Sequence, residues 1–166
     1  MYSNILVALD GSETSARALD AALTLASETG ARLHPVYVVD FLVSASDVPG
    51  YDPSILLDAF REEGRRVADD AAERMAAVGV PGTPQIVETD PGEDVAERIL
   101  TVAQQTGTDL IIIGTHGRRG VRRLVLGSVA ERVLRGATRP VLMITAHCAP
   151  TPAAETVAAS TEKEPS

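Results

Sequence analysis

Asp109-Leu110-Ile111-Ile112-Ile113-Gly114-Thr115-His116-Gly117 is the stretch that decides the architecture, and after nine intervening residues come Gly127 and Ser128. Four consecutive large aliphatic residues leave no face for water, the pattern of a strand covered on both sides, and the glycine-punctuated segment after them reads as a loop. Four further short runs rich in Val, Ile and Leu lie outward from this one: Ile5 to Leu9, Leu33 to Val39, Gln85 to Glu88 and Val141 to Thr145. Helical spacing fills the intervals. Ala16, Leu19, Leu23 and Ala26 form one apolar stripe, with Ser12 as N-cap and Gly30 as stop. Leu56, Phe60, Val67, Ala71, Met75 and Val78 form a second, closed by Gly79 and Pro81, and the charged residues between them are a solvated face.

The third helical segment carries Val95, Ile99, Leu100 and Ala103, and Asp90-Pro91-Gly92-Glu93 before it reads as N-cap, N1 and capping-box positions. The fourth is expected to begin at Ser128, where Ser128-Val129-Ala130-Glu131 has capping-box spacing, and to end around Gly136. The order β-α-β-α-β-α-β-loop-α-β requires right-handed crossovers and a parallel sheet, hence a three-layer α/β/α sandwich. Ser44 to Pro53 reads as a surface loop able to cover a site. A domain over residues 1–146 and a flexible tail over 147–166, rich in Ala, Pro, Thr, Ser and Glu, complete the expected organisation.

Composition narrows the function classes. At 166 residues and 45% hydrophobic content the chain is long enough for one core and short for two domains. Aromatic residues are only 3%, so the core must be aliphatic, which suits helices on a parallel sheet. The formal net charge of −8 disfavours nucleic acid and anionic membranes as partners. A single cysteine, Cys148, rules out an intramolecular disulfide, and the chain starts on a strand-like run without a secretory pattern. The expectation is a cytoplasmic protein.

In open parallel sheets, ligands sit at the carboxyl ends of the strands. Two segments are therefore expected to share one rim: Ala8-Leu9-Asp10-Gly11-Ser12, and the loop from Gly114 to Ser128. The common G-x-G-x-x-G and G-x-x-x-x-G-K-[ST] phosphate fingerprints are absent. In their place, Gly114 and Gly117 permit positive φ and close approach of backbone N–H groups, while Gly127-Ser128 opens onto a helix N-terminus that attracts anions. Arg118, Arg119, Arg122 and Arg123 lie between, read either as a local attractor for polyphosphate or as a solvated face. Asp10 reads two ways, as turn chemistry in Asp-Gly-Ser or as a ligand contact. Ser128 likewise serves as cap or as phosphate ligand, and His116 reads as a contact rather than a general base. His34, His116 and His147 have no metal-ligand spacing, no G-x-S-x-G nucleophile elbow is present, and the segment after the first strand lacks a PP-loop pattern.

The glycine spacing resembles the G-x2-G-x9-G-[ST] signature of ATP-binding members of the universal stress protein family, complete here at Gly114, Gly117, Gly127 and Ser128. The likeness extends over about residues 1 to 146, through the runs Ile5 to Ser12, Val36 to Asp40, Asp109 to Gly114 and Arg139 to Ile144. It implies an adenine nucleotide alpha hydrolase-like sheet of five parallel strands in the order 3-2-1-4-5. By the same resemblance Ala8, Leu9 and Ile113 lie near the adenine, Val38 offers its backbone to the base edge, and Asp10 meets the ribose or metal-phosphate region. Gly114, His116 and Gly117 wrap ribose and phosphates, and Gly127, Ser128, Val129 and Ala130 bind phosphate. Mg²⁺ is then held mainly by the phosphates, since the rim lacks a carboxylate cage.

The reading that results is a protein that binds ATP as a stress-response sensor or regulator and is not a dedicated enzyme. It is expected to pair with itself as a homodimer through the apolar edge strand at 140–145, possible higher assembly aside. A slow ATPase and a structural homodimer with an unused site are the competing readings.

Overall fold

The computed structural model describes residues 1–40, 53–117 and 126–147. The arginines at 118, 119, 122 and 123, nearly all of the Ser44 to Pro53 loop, and the tail beyond His147 lie outside the described residues. Five strands, β1 (Asn4–Leu9), β2 (Arg32–Val39), β3 (Gln85–Glu88), β4 (Leu110–Gly114) and β5 (Val141–Ile144), form one sheet in the order β3-β2-β1-β4-β5. Every neighbouring pair is parallel. Among the described residues four helices connect them: α1 (Glu13–Thr29), α2 (Pro53–Ala77), α3 (Val95–Gln105) and α4 (Ser128–Gly136).

The continuous apolar strands follow from cover on both faces. Ile5, Val7 and Leu9 pack with α1 residues Leu19 and Leu23 and α2 residues Ala71 and Met75. Leu6 and Ala8 point the other way, into a second cluster with Ile99, Val102 and Ala103 of α3 and Ala130 and Val133 of α4. Ile5, Leu6 and Val7 are completely buried. Because β1 takes a helix layer on each face, neither parity of its side chains can be polar.

Local chemistry sets the ends of α1 as its sequence predicts. Ser12 is the N-cap and accepts from the Ser15 N–H, and Gly30 takes the left-handed conformation at φ 70°. Three expectations fail. The N-cap of α3 is Asp94, not Asp90: its carboxylate accepts from the Ala96 and Glu97 N–H groups, and the Glu97 carboxylate in turn accepts from the Asp94 N–H. Asp90-Pro91-Gly92-Glu93 forms a turn instead, with the Glu93 N–H donating to the Asp90 carbonyl and Gly92 at φ 88°. Pro then Gly at the centre of a turn is type II chemistry, and it outcompetes the capping pattern. At α4 the N-cap is Gly127, Ser128 is already helical, and no side chain caps the helix, so the expected Ser128 box does not form. Val78 lies beyond the end of α2 and is half exposed.

The long α2 is tied to the sheet edge by Arg61, whose guanidinium donates to both oxygens of Glu88 on β3 and holds that carboxyl below its usual range. No helix among the described residues is long and apolar enough to cross a membrane.

Candidate functional site

Above the carboxyl ends of β1, β2 and β4 lies an open cleft of about 580 Å³, within the size range of small-molecule sites. It sits where the connections diverge, β1 leading to α1 on one face and β4 leading toward α4 on the other. One wall is apolar, built from Ala8, Val36, Val38, Val95, Ile99 and Ile113. Asp10, Asp40 and His116 bring polar groups to its rim.

The turn after β1 holds Asp10 in place. Its Oδ1 accepts from the Ser12 N–H at 2.9 Å, its own N–H donates to Ser15 Oγ at 3.4 Å, and that hydroxyl donates to the Ser12 carbonyl at 2.9 Å. Gly11 makes the turn at φ 78°. Asp10 Oδ2 faces the other segment: a Cβ on Gly117 would stand 2.6 Å from it. The two readings of Asp10 thus fall on different oxygens, one engaged in the turn and one aimed at the loop after β4.

That loop is closed at its neck. Thr115 donates its N–H to the Ile144 carbonyl at 2.8 Å and accepts from the Gly127 N–H at 2.8 Å, so residues 115 and 127 are bonded across the intervening chain. Thr115 Oγ1 and His116 Nδ1 are 2.9 Å apart, which fixes the imidazole against its neighbour. The helix α4 starts immediately, and the N–H groups of Ser128, Val129 and Ala130 have no intrahelical acceptor at this position in a helix. These three residues line the cleft, beside the positive end of the helix dipole.

All twelve residues expected to touch a ligand line this one cleft: Ala8, Leu9, Asp10, Val38, Ile113, Gly114, His116, Gly117, Gly127, Ser128, Val129 and Ala130. Two details differ from expectation. Gly114 and Gly117 do not have positive φ, and neither does Gly127, at φ −61°. Their lack of a side chain serves close packing instead: a Cβ on Gly114 would stand 2.9 Å from Thr14 Cγ2, and one on Gly127 would stand 3.1 Å from the Thr115 carbonyl oxygen. The Gly127 N–H is also engaged with Thr115, so the N–H groups left without a helical acceptor begin at Ser128.

Sequence reasoning missed Val36, Val95, Ile99 and Phe60, which also line the cleft. Val36 shares its strand parity with Val38, a signal that was available. Val95 and Ile99 carry only the signal of a core stripe, and nothing local marks Phe60 of α2 as reaching a rim formed by other elements. Among the described residues no group of three or more His, Cys, Asp or Glu side chains is arranged to hold a metal ion.

Comparison with known proteins agrees with this architecture. Residues 1–145 match the model of the universal stress protein family. The chain is 36% identical over 151 residues to universal stress protein YxiE of Bacillus subtilis, covering 87% of this chain and 99% of that one. A crystal structure of a universal stress protein family member from Burkholderia pseudomallei is 59% identical, with a TM-score of 0.73 over 86% of this chain and 96% of that one. The structure of protein MJ0577 superposes with a TM-score of 0.75 at 27% identity, over 90% and 99% of the two chains. More distant family structures, each 23% identical with a TM-score of 0.62, contain cAMP in one case and dAMP in another.

Proposed function

The chain belongs to the universal stress protein family, and from that premise we propose that it binds ATP in the cleft above β1, β2 and β4 and acts as a nucleotide-dependent regulator of the stress response rather than as a dedicated enzyme. The observation that carries this reading is the convergence of two chemically different walls on one space. An apolar slot of Ala8, Val36, Val38, Ile99 and Ile113 suits a purine ring, and the first turn of α4 offers backbone donors to phosphates. Asp10 lines the same cleft, and in this reading its carboxylate meets the ribose or the phosphate-bound Mg²⁺. Mg²⁺ in this reading is held by phosphate oxygens. Adenine nucleotides in two distant family structures are consistent with the ligand class.

Mass spectrometry of the denatured, purified protein tests the reading directly, and co-purified ATP is the expected result. Turnover is expected to stay well below ~1 per second, the low end of ordinary enzyme rates, because the described rim groups are engaged locally, His116 Nδ1 with Thr115 Oγ1 and Asp10 Oδ1 with the Ser12 N–H. Phosphate release at ordinary enzyme rates, lost in both His116→Ala and Asp10→Ala, would establish an ATPase instead. A protein that carries and binds no nucleotide would leave the site unused.

The same reading includes a homodimer joined at β5. This strand is an edge of the sheet, carries the uncharged sequence Val141-Leu142-Met143-Ile144, and follows Pro140, whose carbonyl accepts from the Ile111 N–H of β4. The opposite edge, β3, differs in presenting Glu88 paired with Arg61. Val141 and Met143 pack against the α3–α4 cluster, whereas Leu142 is exposed, so Leu142 is the side chain to change. Two β5 edges pairing about a two-fold axis would close the assembly. Sedimentation is expected to show a wild-type dimer at tens of micromolar, an order-of-magnitude choice for a contact of modest size, and a monomer for Leu142→Lys. A monomeric wild type at that concentration would end the dimer model.

A further inference from the structure

We infer that Asp94 and Arg132 are a positioning pair that sets the first turn of α4 against the base-side wall of the cleft, and so governs how well the site holds phosphates; this rests on the nucleotide reading above. The walls of the cleft come from different helices. Val95 and Ile99 belong to α3, while Ser128, Val129 and Ala130 belong to α4. A ligand that spans base and phosphates needs both helices at one fixed spacing, because a shift of about 1 Å in a donor row is enough to lose hydrogen-bond geometry.

One carboxylate connects the two. Asp94 Oδ1 accepts from the Ala96 N–H at 2.7 Å and the Glu97 N–H at 3.1 Å, capping α3. Asp94 Oδ2 accepts from Arg132 Nη1 at 2.9 Å, one turn inside α4. The start of α4 has no side-chain cap of its own; buried Ala130 and Val133 anchor the helix body, and its first turn is held by the Gly127–Thr115 bond on one side and by Arg132 on the other. The turn before Asp94 is itself braced, since Arg98 donates to the Glu88 carbonyl at 2.6 Å and is paired with Glu93. Neither Asp94 nor Arg132 lines the cleft, so the pair acts through the helices it joins.

Arg132 has an alternative role, simple attraction of polyphosphate by its charge, and the two roles predict opposite signs. Asparagine caps a helix as well as aspartate. Asp94→Asn therefore keeps α3 capped, breaks the ion pair, and removes a negative charge near the ligand. Direct attraction predicts equal or tighter ATP binding in this variant; positioning predicts weaker binding.

Calorimetric titration of the full-length protein with ATP and with adenosine, in wild type, Asp94→Asn, Arg132→Gln and the double variant, decides the matter. We expect each single variant to raise the Kd for ATP about threefold, the scale of a partly exposed ion pair, with adenosine affinity unchanged. The double variant should be no worse than the weaker single one, because both substitutions break the same link. Undiminished ATP affinity in Asp94→Asn, additive losses in the double variant, or parallel losses for adenosine would overturn the pair's role while leaving the nucleotide site standing. A wild type that binds neither ligand would remove the nucleotide reading and the pair's role with it.

Discussion

Gly82→Ala should lose roughly 3 kcal/mol or more of folding stability, combining a strained backbone conformation with a forced overlap in a packed region. Gly82 has φ 146°, and a Cβ there would stand 1.8 Å from the Leu33 carbonyl oxygen and 2.9 Å from Met75 Cε. The chain cannot retreat easily. Leu33 is fully buried, its N–H donates to the Pro81 carbonyl at 2.8 Å, and Leu33 and Gly82 form an isolated parallel bridge beside β2. The substitution therefore pushes the β2 start away from the segment that leads into β3. Gly30→Ala is the control, since Gly30 also has positive φ but a Cβ there meets nothing within 4 Å. It should cost only about 1 kcal/mol, the penalty of the left-handed conformation alone. Urea denaturation of the two variants measures the difference, and equal midpoints would show that the Leu33 contact does not constrain the fold.

Gly127→Val should weaken ATP binding by at least about fivefold, since overpacking a tight contact commonly costs about 1–3 kcal/mol. Gly127 has ordinary extended dihedrals, φ −61° and ψ 143°, so valine brings no backbone strain there. The obstruction is spatial. Even a bare Cβ would stand 3.1 Å from the Thr115 carbonyl, 3.7 Å from His116 Cα and 3.9 Å from the Gly117 nitrogen. Methyl groups beyond it would press on the neck of the loop and move the first turn of α4 away from Asp10. The helix body, anchored by buried Ala130 and Val133, should keep its far-UV circular dichroism. Gly127→Ala needs a displacement of only a few tenths of an ångström and should fall between wild type and valine. Undiminished ATP affinity in a folded Gly127→Val protein would contradict the placement of the ligand.

The sequence by itself determined the layers, the parallel sheet and the rim. A run such as Leu110 to Ile113 has no polar face, so only cover on both sides satisfies it, and helical spacing between such runs supplies the cover. The strand order came from the glycine signature and its family likeness, since periodicity says which residues are buried but not which strands are neighbours. Tertiary structure alone decided what depends on contacts between distant segments. Asp94 rather than Asp90 caps α3, because the Pro91-Gly92 turn consumes the earlier residues. The loop glycines are spared side chains for Thr14, Asp10 and the Thr115 carbonyl, rather than for unusual φ angles. Phe60, Val95 and Ile99 reach the cleft through helices whose stripes look like ordinary core. The physical reason is the same in each case: local patterns report the environment a residue needs, whereas the partner that supplies it is chosen only when elements far apart in the chain pack together.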